Sequence, residues 1–300
     1  MRETSDQRSM WVSRHSRATE KVDLTTGLRL EELHLPSGYL PGMQLNQAGT
    51  RIVFIASDGQ LTVGRRGPHD WELLPVRSTR GEVDQYALSP VNDLLAIATA
   101  DSVEVWAFKD LPQPLAMIPM SCRVARMEWS PDGCHLLILT NNGVLEIRHG
   151  ETLAAMRSAQ TSVRGNACCF WSLDGRHVVA NNKKGTLTVW ALEETEDALR
   201  QIECQPHPVV AMSHDGRWLA VPDMSRRVWL INVADPDDRY ELGSLTAHPC
   251  AVRFAADSSF LLVGLADGSL QCWSLADRQL AWISSDTGGE KLSFRNGMSG

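Results

Sequence analysis

The sequence predicts an all-β protein, a β-propeller of repeated four-stranded blades, and three features predict it. A polar turn of the Ser-x-Asp-Gly kind recurs at a near-constant period. Each recurrence is followed by a short, continuously apolar run of strand length. A second turn and an alternating segment, several closing on Trp, complete the unit. With the turn's first residue as marker, the copies begin at Asn46, Ser89, Ser130, Ser172, Ser213 and Ala255, at steps of 43, 41, 42, 41 and 42 residues. So regular a period is the mark of a repeat architecture.

Each element has a local reason. The first strand of a copy ends in a turn, as in Met127-Glu-Trp-Ser-Pro-Asp-Gly, Cys169-Phe-Trp-Ser-Leu-Asp-Gly and Val210-Ala-Met-Ser-His-Asp-Gly. Short polar side chains and Gly tolerate its tight backbone. The second strand, as in Leu94 to Ala98, Leu136 to Leu139 and Phe260 to Val263, is apolar throughout, the pattern of a strand buried on both faces. A second turn follows at Asp58-Gly59, Asp101-Ser102, Asn142-Gly143, Lys184-Gly185 and Asp267-Gly268. Asn-Gly and Asp-Gly supply the positive φ of tight hairpins. The third strand alternates, as from Thr186 to Trp190 and from Ser269 to Trp273. The rest of the period accommodates a fourth strand and a loop, which makes one propeller blade.

These boundaries give repeats near 43–78, 79–121, 122–163, 164–204, 205–246 and 247–285 within a single domain of residues 1–300. The ends supply a seventh blade. Met10 to Val12, Val22 to Gly27 and Leu28 to Leu35 read as strand, strand end with turn, and strand. Lys291 to Gly297 matches the first strand and turn of a copy. Residues 1–42 with 286–300 are therefore expected to close the ring, the innermost strand coming from the carboxyl end, since pairing the termini removes exposed edges. The alternative is a six-bladed ring.

Composition bounds the function. The net charge of −7 and pI near 5.7 disfavour a nucleic-acid binder that neutralises phosphates. No apolar run reaches membrane-spanning length and the amino terminus lacks an apolar leader. A soluble, cytoplasmic protein is expected. Arg outnumbers Lys, a skew that suggests a bacterial source. The seven Cys are odd in number and form no C-x-x-C pair, so neither a disulfide framework nor a zinc ribbon is expected.

Ser-Pro-Asp-Gly, an apolar strand, Asp-Gly and an alternating strand closing on Trp together resemble the WD40 repeat, in a divergent form. The resemblance runs from about Met43 to Trp282. The closing dipeptides are Trp106-Ala107, Trp190-Ala191, Trp229-Leu230 and Trp273-Ser274, never Trp-Asp, and the opening Gly-His pair survives only around His207 and His248. TolB-like propellers are the alternative family. The resemblance implies a His–Asp–Trp hydrogen-bond network, which His248, Asp267 and Trp273 match in the sixth copy. It also implies a scaffold for other proteins.

No catalytic motif is present: no His-Glu-x-x-His, Gly-x-Ser-x-Gly, phosphate loop or dinucleotide fingerprint. The His are scattered, and Asp132, Asp174 and Asp215 recur as turn formers on separate blades. No catalytic residue, cofactor or metal is assigned. Among the Trp, only Trp11, Trp71, Trp218 and Trp282 fall outside the repeat's core positions. A propeller enzyme with a central-channel site, of lactonase-like hydrolase type, would need inward carboxylates or His, and the first strands offer only Glu128 and Arg253. Gly64-Arg65-Arg66-Gly67 resembles the paired-arginine motif of phosphoinositide-binding propellers, a third reading. The expected function is a non-catalytic adaptor or complex subunit that binds a partner protein or peptide. Lys183, Lys184, Arg226 and Arg227 lie in consecutive second turns, and Arg123 and Arg164 precede first strands. These six are the candidate rim for an acidic partner segment.

Overall fold

The computed structural model describes residues 9–14, 19–33, 43–55, 60–67, 71–76, 78, 80–108, 113–161, 168–181, 186–192, 199–203, 209–255, 257–284 and 292–299. β1 (Ser9–Arg14), β2 (Thr19–Asp23) and β3 (Arg29–Leu33) precede the marked copies. The Asn46 copy holds β4 (Gln44–Leu45), β5 (Arg51–Ile55), β6 (Leu61–Arg66) and β7 (Trp71–Val76). The Ser89 copy holds β8 (Gln85–Leu88), β9 (Leu94–Ala98), β10 (Ser102–Ala107) and β11 (Ala116–Pro119). β12 (Val124–Trp129), β13 (His135–Thr140), β14 (Val144–His149) and β15 (Ala155–Gln160) make the Ser130 copy. β16 (Cys168–Trp171), β17 (His177–Asn181), β18 (Thr186–Ala191) and β19 (Leu199–Glu203) make the Ser172 copy. In the Ser213 copy are β20 (Ala211–Met212), β21 (Trp218–Pro222), β22 (Arg227–Asn232) and β23 (Arg239–Ser244). The Ala255 copy has β24 (Pro249–Phe254), β25 (Phe260–Leu265), β26 (Leu270–Ser274) and β27 (Gln279–Ser284), and β28 (Leu292–Ser299) follows.

Among the described residues these strands form seven four-stranded sheets, and no helix occurs. In each marked copy the strands neighbour one another in chain order, with antiparallel pairing as in β12-β13-β14-β15. The remaining sheet has the order β28-β1-β2-β3, and β28 pairs antiparallel with β1, Val12 lying opposite Phe294. The chain separates into two compact units. One comprises Leu40–Trp171 with Val178–Lys183, the other Met1–Tyr39, Ser172–His177 and Lys184–Gly300.

Within the first unit, Ala96, Ala98, Val103 and Val105 of one sheet pack on Val124, Met127, Trp129, Leu136 and Ile138 of the next. Within the second, Ala220, Val228, Leu230 and Leu242 pack on Val252, Phe254, Leu261, Val263 and Trp273. Sheets consecutive in sequence thus bury their faces against each other, as repeat stacking requires. The first-strand position held by Leu45, Leu88, Trp129, Trp171, Met212 and Phe254 is buried in every copy.

The sequence period is also a spatial register. Trp129 Nε1 donates to the Ala87 carbonyl at 2.8 Å, 42 residues away, and Trp171 Nε1 donates to the Glu128 carbonyl at 3.2 Å, 43 away. The Gln44 side chain donates to the Tyr86 carbonyl at 3.0 Å and accepts the Leu88 N–H at 2.7 Å. At these copies the first strands of sequence-adjacent repeats are therefore hydrogen-bonded neighbours, one position off equivalence.

The first turn repeats atom by atom. Ser130 Oγ donates to Asp132 Oδ1 at 2.5 Å and accepts the His135 N–H at 2.9 Å, while Asp132 Oδ1 accepts the Cys134 N–H at 2.9 Å. Ser172 with Asp174 and Ser213 with Asp215 build the same turn. The left-handed residue is Gly133, Gly175 or Gly216, at φ of 69°, 70° and 69°. At Gly216 a side chain is excluded twice over, since a Cβ would also lie 2.5 Å from His177 Nδ1.

Candidate interaction surface

The carboxylates of the first turns serve the turns. Burial opposes ionisation of Asp174, but the Ser172 hydroxyl, the Arg176 N–H and nearby His177 outweigh it and bring its pKa down to about 2. His177 Nδ1 stands 3.9 Å from Asp174 Oδ1, too far for a hydrogen bond. Asp132 is lowered in the same way, with Ser130 and the Cys134 N–H overcoming burial. Among the described residues no three His, Cys, Asp or Glu side chains gather as a metal site would need.

The network expected from His248, Asp267 and Trp273 is not formed among the described residues. Asp267 is exposed, and its Oδ1 accepts the Ser269 N–H at 3.0 Å and the Ser269 hydroxyl at 2.6 Å. His248 is exposed and supplies its backbone carbonyl to Ala266 N–H. Among the described residues Trp273 Nε1 is buried without an acceptor. Ser269 is the physical reason: a hydroxyl two residues on captures the carboxylate before it can reach the indole.

The equivalent link exists one copy earlier. Asp223, 2 % exposed, accepts Trp229 Nε1 at 3.1 Å and Arg227 Nε at 2.9 Å through Oδ2. Its Oδ1 takes the N–H groups of Ser225 and Arg227 at 2.8 and 2.9 Å. Burial raises the Asp223 pKa, but these donors and the Arg227 charge leave it below the ordinary value. The spacing was readable, because Asp223 precedes Trp229 by six residues as Asp267 precedes Trp273. A further Trp is satisfied differently, Trp106 Nε1 donating to buried Glu104 Oε2 at 2.9 Å.

These contacts alter the candidate basic rim. Arg227 is held by Asp223 at 2.8 Å, approaches Glu241 at 3.8 Å and stacks over Trp229 at 5.3 Å, so its charge is engaged inside the sheet. It leaves the set of residues free for an acidic partner. Arg226 is exposed, with a left-handed φ of 64° and Nη1 donating to the Thr246 carbonyl at 3.1 Å. Arg123 is exposed and lies 3.5 Å from Asp84. Arg164, Lys183, Lys184 and His207, with the turns Asp58-Gly59 and Lys184-Gly185, lie outside the described residues.

The other singled-out positions are structural. A Cβ at Gly64 would stand 2.6 Å from Ile52, so that Gly serves packing between strands, while Arg65 and Arg66 end β6. Trp282 Nε1 donates to the Leu24 carbonyl at 2.7 Å and its ring lies over Gly27. Trp218 belongs to a group that single-residue reading did not assemble: Arg217 and Tyr240 lie against it, and Arg278 lies over the Tyr240 ring.

Comparison with known proteins agrees with this geometry. Residues 86–174 match the model of the anaphase-promoting complex subunit 4 WD40 domain, and residues 239–274 match the WD domain, G-beta repeat. The chain is similar to U3 small nucleolar RNA-associated protein 12 of Saccharomyces cerevisiae, 24 % identical over 200 residues that cover 65 % of this chain. It spans about a fifth of that relative's length, the match covering 20 % of it. The recurring turns, the four-stranded antiparallel sheets and these matches together support a WD40-repeat family for the chain.

Proposed function

We propose that this chain is a seven-bladed WD40 propeller acting as a non-catalytic protein-binding subunit of a larger complex. One observation carries the reading: side chains that could do chemistry are already engaged in holding turns and sheets. Asp132, Asp174 and Asp215 close turns, and Asp223 holds Arg227 and Trp229. What the fold leaves over is a set of loop ends on a rigid support, which suits recognition of another protein. The resemblance supports this reading, since the matched family model is that of a complex subunit and the yeast relative is an RNA-associated protein. The β28–β1 pairing supports closure of the ring by the two ends of the chain.

Cross-linking of the tagged full-length chain in its native cells, followed by mass spectrometry, tests the proposal. A reproducible set of protein partners linked to loop residues, retained after ribonuclease treatment, is expected. Partners released by ribonuclease would transfer the reading to a nucleic-acid complex, as the yeast relative's name suggests. Absence of any specific link would contradict the scaffold role.

A further inference from the structure

The ends of two adjacent sheets in the second unit carry a stacked Arg–aromatic group. Trp218 and Tyr240 flank the apolar core shared by the Ser213 and Ala255 copies, with Leu275 beside them. Their rings meet edge to face, centroids 5.5 Å apart. The Arg217 guanidinium lies 5.5 Å from the Trp218 ring, and the Arg278 guanidinium lies 4.0 Å from the Tyr240 ring. Both arginines are exposed, and among the described residues neither forms an ion pair.

Local structure fixes the backbone at both arginines. Arg217 closes the Ser213 turn, its N–H donating to Asp215 Oδ1 at 3.1 Å and its carbonyl accepting the Val233 N–H at 2.8 Å. Arg278 sits at φ 53°, a left-handed conformation unusual for a side-chain-bearing residue, in the turn between β26 and β27. The two turns belong to one end of the paired sheets, where the His214 N–H donates to Ser258 Oγ at 2.8 Å. Nearby carboxylates are drawn into turns: Asp238 Oδ2 accepts Asn232 Nδ2 at 2.8 Å, and Asp277 Oδ2 accepts the Ser274 hydroxyl at 2.8 Å.

We infer that Arg217 and Arg278, held on Trp218 and Tyr240, form a docking site for an acidic peptide segment of a protein partner. A guanidinium stacked on a ring keeps its N–H edge directed outward, pre-organised for bidentate carboxylate contact. The flanking aromatic surfaces then cover the apolar stem of a Glu or a neighbouring apolar residue. Two guanidiniums at one sheet end match a few carboxylates of a peptide, whereas a continuous phosphate backbone calls for a broad basic face. The inference rests on the scaffold reading and names a surface and a ligand chemistry for it.

The test is fluorescence anisotropy of a labelled poly-glutamate peptide with the full-length chain, against labelled oligothymidylate as the competing class. The expected result is saturable peptide binding that weakens about tenfold in Arg217→Gln and in Arg278→Gln. Arg278→Lys retains only part of the affinity, since an ammonium keeps the charge and loses the stacked fork. Circular dichroism and melting of the variants remain those of the parent, because both side chains are exposed. No peptide binding, equal binding by the double Gln variant, or tighter binding of oligothymidylate overturns the inference. The scaffold reading fails separately, on absence of cross-linked partners for the parent chain.

Discussion

Asp223 shows how one side chain decides what a turn does. Its two oxygens satisfy an indole, a guanidinium and two backbone N–H groups at a nearly sealed position. Asp223→Asn keeps the shape but removes the charge and leaves donors facing donors. A loss of about 2 kcal/mol is expected from urea unfolding, because Arg227 can turn back to solvent while the indole N–H cannot. Asp174 makes a different, pH-dependent contribution. Its folded pKa, about 2, lies below the ordinary carboxylate value of 3.8, so its stabilisation is complete above that value and fades as pH falls through the interval between them. Asp174→Asn should therefore flatten the acid limb of stability against pH and leave the neutral region less stable. An acid limb identical to the parent's would contradict this. Asp174 was legible as a turn former, since its role depends only on local sequence. The Asp223 link was not, because the choice between neighbouring Ser and distant Trp is made in three dimensions.

At the scale of elements, legibility follows burial. Second strands such as Leu94–Ala98 and Leu136–Leu139 are continuous apolar runs because both of their faces are covered, and that pattern is visible in sequence. Fourth strands follow only from the length left over in each period, not from a pattern of their own. β7, β15 and β27 are mainly exposed and carry Leu73, Leu74, Met156, Leu280 and Ile283 without alternation, so neither period nor polarity marks them. Their importance appears only in contacts with the next sheet. A Cβ at Gly243 of β23 would stand 2.2 Å from Cη2 of the buried Trp273 ring. Gly243→Val should cost about 2–3 kcal/mol by overpacking, seen as a lower melting temperature. Stability equal to the parent's would mean that the two sheets separate more readily than their packing indicates. The Arg217 and Arg278 site was likewise hidden, because isolated arginines in turns have no sequence signature and only ring stacking unites them. The six-residue basic rim was the converse: grouped by repeat position in the sequence, yet with Arg227 already held by Asp223.

For the whole molecule, the repeat period fixes which sheets touch, and the chain ends determine whether the series closes. Hydrogen bonds between residues 42 and 43 apart show that the period is obeyed in space as well as in sequence. The proposed ring depends on β28 supplying the strand beside β1. A four-stranded sheet robbed of one strand exposes a backbone edge and loosens its packing on the neighbouring sheet. Urea unfolding of the chain truncated after Asp286 is the most direct measurement. The account predicts a midpoint well below that of the intact chain, equivalent to several kcal/mol. An unchanged midpoint would show that the carboxyl-terminal strand closes nothing.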